Sequence, residues 1–71
     1  MTVFREYKFW SPMLGENSVR LSVPDDHGRE VFMILPMPTS GKAWRDEREE
    51  ALQAIEAAIM RGDEPGEVRI S

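Results

Sequence analysis

Residues 43–61 read AWRDEREEALQAIEAAIMR, and winding them at about 100° per residue separates apolar from acidic positions. Trp44, Ala51, Leu52, Ile55, Ala58 and Ile59 fall on one side. Asp46, Glu49, Glu50 and Glu56, with Gln53 among them, fall roughly opposite. A helix here would cover a sheet with one face and show negative charge with the other. Arg48 interrupts the apolar stripe between Trp44 and Leu52. Its stem is expected to pack on Trp44 while the guanidinium reaches Glu6 or water. Thr39 or Ser40 suits the N-cap, Gly62 the left-handed position after the helix, and Arg61 the negative end of the dipole.

Upstream of this helix the period changes from 3.6 to 2. Val19, Leu21 and Val23 alternate with Arg20 and Ser22, the signature of a half-buried strand. In Arg29 to Leu35, Phe32 and Ile34 oppose Val31, Met33 and Leu35. Both faces are apolar, so this strand is central in its sheet or its second face is an interface. Pro24, Asp25, Asp26, His27 and Gly28 between the two strands make a hairpin turn. Thr2 to Trp10 is β-branched and aromatic and reads as a first strand. Val3, Arg5, Tyr7 and Phe9 share one face, and Phe4, Glu6, Lys8 and Trp10 the other. Neither is purely apolar, which leaves open which one meets the core. Ser11 to Ser18 reads as a loop, Pro36 and Pro38 should end pairing, and Glu67 to Ile70 alternates as a short last strand.

The expected fold is therefore one α+β domain over residues 1–71. Its antiparallel sheet of three to four strands packs on one long helix, in the order β-β-β-α-β. Core candidates are Val19, Leu21, Val23, Met33, Leu35, Trp44, Leu52, Ile55 and Ile59, with Val68 if the last strand joins.

At 71 residues the chain is near the lower limit at which a hydrophobic core alone offsets chain entropy. Cysteine is absent, which is compatible with a reducing compartment, and no metal-ligand cluster is apparent. With those two staples missing, a homodimer or a tightly held partner is expected. The longest apolar run, Val31 to Leu35, is far short of the ~20 residues that cross a bilayer, and the N-terminus lacks a signal peptide's plan. The expectation is a cytoplasmic protein without membrane contact.

Charge is uneven. Residues 1–42 hold five Lys/Arg and five Asp/Glu, whereas residues 43–71 hold four Arg and eight Asp/Glu, so the second part carries the whole net charge of −4. Such a surface repels phosphate backbones over about 8 to 10 Å and favours basic partners.

Residues with catalytic potential lack the settings that would activate them. Ser40, Gly41 and Lys42 echo the end of a phosphate-binding loop, but the upstream glycine is missing and Ala43 stands where a hydroxyl residue is required. His27, the single histidine, sits beside Asp25 and Asp26 in a turn where these residue types serve backbone hydrogen bonding. No nucleophile has a neighbouring base. Accordingly no catalytic residue, cofactor or metal is expected, and the protein is read as a non-enzyme. Met13 and Leu14 are apolar in a loop: either they fold back to cap the sheet's end or they present an interface anchor, and with Trp10 and Pro12 they form the best local candidate for a contact surface.

The segment Val31 to Ile59 (VFMILPMPTSGKAWRDEREEALQAIEAAI) resembles the strand, proline-containing connection and EEAL-type helix of HicB-like antitoxins. The resemblance covers less than half the chain. The family's Pro-Gly-Cys-type element is missing, and so is an appended DNA-binding segment. It implies a small acidic domain that neutralises a basic, RNA-cleaving toxin by binding it.

The functional expectation is an acidic protein-binding module, an inhibitor or regulator of a basic partner such as phages and mobile elements encode. Its contact residues would be Asp46, Glu49, Glu50 and Glu56 on the helix and Trp10, Met13 and Leu14 on the loop. Two alternatives stand beside it. One is a nucleic-acid-binding sheet, similar in element order to integrase arm-binding domains, which requires Arg5, Lys8, Arg20 and Arg29 to gather on an exposed sheet face. The other is a structural subunit of an obligate dimer or complex, built on sheet-edge or sheet-face pairing.

Overall fold

The computed structural model describes residues 3–37 and 40–69. It contains β1 (Arg5–Ser11), β2 (Glu16–Pro24), β3 (Glu30–Pro36), α1 (Gly41–Arg61) and β4 (Gly66–Glu67), an α+β fold in the expected order. The four strands form one sheet in sequence order. β1, β2 and β3 are antiparallel, and β4 joins β3 in parallel.

The first hairpin is longer than its composition suggests. Ser11 and Glu16 are cross-strand partners, as are Trp10 and Asn17, and Phe9 and Ser18, so the loop shrinks to residues 12–15. Ladder hydrogen bonds outweigh the weak strand propensity of Asn17 and Ser18 once β1 lies alongside. The tight turn needs Gly15 at a positive φ of 68°, and the Gly15 N–H donates to the Ser11 carbonyl at 2.8 Å. In the second turn the Asp25 carboxylate accepts from the backbone N–H groups of His27 and Arg29 at 2.9 and 2.8 Å. Pro36 still faces Ser18 at the last position of β3. Pro38, Thr39 and Ile70 lie outside the described residues, so the expectations on them are neither met nor missed.

α1 is built from strong helix formers between two capped ends. Ser40 is the N-cap: its hydroxyl accepts from the Ala43 N–H at 3.1 Å. Gly62 closes the helix at φ 75°, its N–H donating to the Ala58 and Ile59 carbonyls, with Arg61 in the last turn. The buried side of α1 is Ala51, Ile55 and Ala58. The two alanines and Ile55 are the helix residues of the core, Ile55 the largest of them and wholly buried.

That face meets Val19, Leu21 and Val23 of β2 and Val31 and Met33 of β3, which with the three helix residues make up the buried core. Phe4, Leu35, Trp44, Leu52, Ala54, Ile59 and Val68 are half-buried around it. Val31, Ala51 and Ala58 thus belong at the centre, whereas Leu35, Trp44, Leu52 and Ile59 form the rim. Each large aliphatic side chain taken out of water contributes about 1.5 to 3 kcal/mol. The last strand is shorter than Glu67 to Ile70 suggested. Among the described residues it pairs through Gly66 and Glu67 with Val31 and Phe32, after which the Val68 N–H donates to the Phe32 carbonyl at 2.7 Å.

Candidate interaction surfaces of the sheet

α1 packs on β2 and β3, and β1 extends beyond it. The register decides the faces of β1, because residues directly opposite in an antiparallel pair share a side. Lys8 is opposite Val19 and Glu6 opposite Leu21, so Phe4, Glu6, Lys8 and Trp10 lie on the helix side. Tyr7 is opposite Arg20 and Arg5 opposite Ser22, so Arg5, Tyr7 and Phe9 lie on the outer side. On the helix side, a groove lined by Glu6, Lys8, Val19, Met37 and Trp44 separates β1 from the start of α1. The Arg48 guanidinium lies 5.8 Å from the Phe4 ring and 6.0 Å from the Trp44 ring, bridging the N-terminal residues to the helix. The sequence anticipated Trp44 for this arginine but not Phe4.

On the outer face β2 contributes small Ser18 and Ser22, both buried, on either side of Arg20. Taller residues flank it, Tyr7 and Phe9 from β1 and Phe32 and Ile34 from β3, and leave a trough along the middle strand. Its floor is organised by Arg20. The guanidinium stacks 4.0 Å from the Phe32 centroid, and Nη2 donates to Glu30 Oε2 at 2.8 Å. Arg20 Nε is buried without a partner. The neighbouring Tyr7 hydroxyl raises the already high pKa of Arg5. No described element packs over this face, and Tyr7 remains 43% exposed.

The residues singled out from sequence do not form one surface. Asp46, Glu49 and Glu50 are exposed on the side of α1 turned from the sheet. Glu56 is half-buried and already partnered. Met13 and Leu14 are 92% and 55% exposed at the tip of the first hairpin, where they line a depression with Ile34, Val68 and Arg69. Trp10, 59% exposed, is on the helix side of β1. Sequence reasoning did not assemble the trough, although the two-faced apolar pattern of Phe32 and Ile34 signalled it.

The four cations that a nucleic-acid surface would need are also divided. Arg5 and Arg20 are on the outer face, Lys8 is on the opposite one, and Arg29 is in the second turn with Nε 3.2 Å from Asp25. Glu30 sits beside Arg20 and so balances its charge. At Asp25, burial pushes the carboxyl pKa up, but the N–H groups of Arg29 and His27 and the Arg29 charge more than offset this and hold it below its ordinary value. Among the described residues no group of three or more His, Cys, Asp or Glu is placed to hold a metal ion, and no helix is long and apolar enough to cross a membrane.

Compared with known protein families, curated proteins and solved structures, the chain finds no match.

Proposed function

We propose that this protein is a non-catalytic protein-binding module that inhibits or regulates a basic partner, and that the partner seats on the outer face of the sheet. The observation that carries this reading is the uncovered trough of Tyr7, Phe9, Phe32 and Ile34 around Arg20. Aromatic and aliphatic side chains flanking a stacked arginine have the composition of an interface centre, where contact energy concentrates. Met13 and Leu14 at the hairpin tip extend the apolar surface. The acidic helix supports a basic partner in a different way. Asp46, Glu49 and Glu50 face away from the trough, so they act on approach rather than in the contact, through long-range attraction. This reading agrees with what the resemblance to HicB-like antitoxins implies. The division of Arg5, Lys8, Arg20 and Arg29 between faces weighs against a nucleic-acid surface.

The test is a capture experiment with the full chain as bait in a lysate of its host. The wild type is expected to retain a basic protein, and a paired change in the trough, Phe9→Ser with Ile34→Ser, to lose it. Charge reversal at Asp46, Glu49 and Glu50 should slow association and weaken or invert its salt dependence without abolishing capture. Capture unaffected by the trough variant would remove the sheet face from the contact. Loss under charge reversal alone would move the contact to the helix.

A further inference from the structure

β1 is the edge of the sheet, and a strand edge presents unpaired N–H and C=O groups to whatever can match them. Helix α1 does not cover it, and Glu6, Tyr7, Lys8 and Trp10 are all exposed. A lysine on an edge strand ordinarily guards against pairing. Here Glu6 lies two residues away on the same side, so the guard has a complement within the strand itself.

The residues around this edge read Phe4-Arg5-Glu6-Tyr7-Lys8-Phe9-Trp10, and they are self-complementary about Tyr7. Laid antiparallel on a second copy with Tyr7 facing Tyr7, Glu6 meets Lys8 and Lys8 meets Glu6. Arg5 then meets Phe9 as a cation–π pair, and Phe4 meets Trp10 as an aromatic pair. Shifting the symmetric register by one residue in one direction sets Glu6 against Glu6. A shift in the other direction sets Lys8 against Lys8. Like charges directly opposite are destabilising, so the charges select one register of the three.

We infer that this protein forms a two-fold dimer by antiparallel pairing of β1 with the β1 of a second copy, centred on Tyr7. The two sheets join into one of eight strands, and the dimer has β4 at both edges. The outer faces become continuous across the Tyr7 pair, so two troughs lie side by side. The inference concerns the edge of the sheet, whereas the proposed partner contact concerns its face, and each can fail without the other.

Sedimentation velocity or light scattering on the full chain tests it. The wild type is expected to sediment at twice its 8.2 kDa at micromolar and higher concentrations. E6K and K8E should each be monomeric, since each brings like charges together at the centre. Their equimolar mixture should dimerise, and so should the double variant E6K/K8E. Both sites are exposed, and circular dichroism of each single variant checks that the fold is kept. The natural chain has no cysteine, so Y7C should give a disulfide-linked dimer on mild oxidation while R5C should not. A monomeric wild type, or a dimer that survives both single charge changes, would overturn the inference. Equal cross-linking by Y7C and R5C would overturn the register.

Discussion

Arg20 lies over Phe32, its guanidinium carbon 4.0 Å from the ring centroid, and this contact ties the middle strand to β3 on the face that the helix leaves open. Arg20 pairs across the ladder with Ile34, not Phe32. The side chain therefore reaches diagonally, covers Phe32 and continues to Glu30. The arrangement satisfies the charge while keeping an aromatic wall upright beside buried Ser22.

The packing of the stem and the charge should separate by mutation. Arg20→Ala is expected to cost about 1 to 2 kcal/mol, from a lost cation–π contact of about 0.5 to 1 kcal/mol and the loss of stem packing. Arg20→Met should recover the stem packing, about half of that, because it loses the cation–π contact and a partly exposed Glu30 pair that contributes about 0 to 1 kcal/mol. Urea denaturation of the two variants decides between them. Equal losses would mean that the charge, not the stem, carries the effect.

Ile55 is wholly buried at the centre of the helix face. Ile55→Ala should destabilise by about 2 to 5 kcal/mol, a large share of the total available to a domain of this size. Ala51→Leu is expected to destabilise by about 1 to 3 kcal/mol through overpacking, since Ala51 is buried in the core against the sheet. Thermal and denaturant melts measure both. A neutral Ala51→Leu would show that the helix can lift without cost.

The helix ends give two independent checks. Ser40→Ala removes the acceptor for the Ala43 N–H and should cost about 1 kcal/mol, whereas Ser40→Asp should keep the stability. Gly62→Ala has no neighbour to clash with, so its cost of about 1 kcal/mol is backbone strain alone at φ 75°. Denaturation midpoints of the three variants report these values.

Asp25 should contribute an acid-sensitive part of the stability. Its pKa is lower in the folded protein than the ordinary 3.8, so its contribution is full above 3.8 and is lost as pH falls through the folded value. The wild type should lose stability across that window. Asp25→Asn should begin less stable at neutral pH and lose less on acidification. Melting temperatures measured from neutral pH down into the acid range test this, and parallel curves for the two proteins would rule it out.

Legibility differed by residue for reasons that can be named. The cap at Ser40, the left-handed Gly62 and the buried stripe of Ala51, Ile55 and Ala58 depend on a few consecutive residues and are where local reasoning puts them, whereas Glu56 of the expected acidic face is half-buried. The loop is shorter than Ser11 to Ser18 because a strand's ladder partner, not its own composition, keeps Asn17 and Ser18 extended. A local pattern marks Met13, Leu14 and Trp10 as exposed apolar residues one at a time, but it carries no information on whether they share a surface, which depends on register between strands.

The amino-acid sequence by itself determined the order of elements, the helix with its caps, and the strand faces that meet in the core, because hydrophobic period and end chemistry are local and cumulative. Only the tertiary structure decided which side of β1 is outermost, that α1 covers β2 and β3 but leaves β1 overhanging, that β4 enters in parallel, and that Arg20 reaches Phe32. Those features follow from register and lateral position between segments distant in the chain, and no local pattern encodes either.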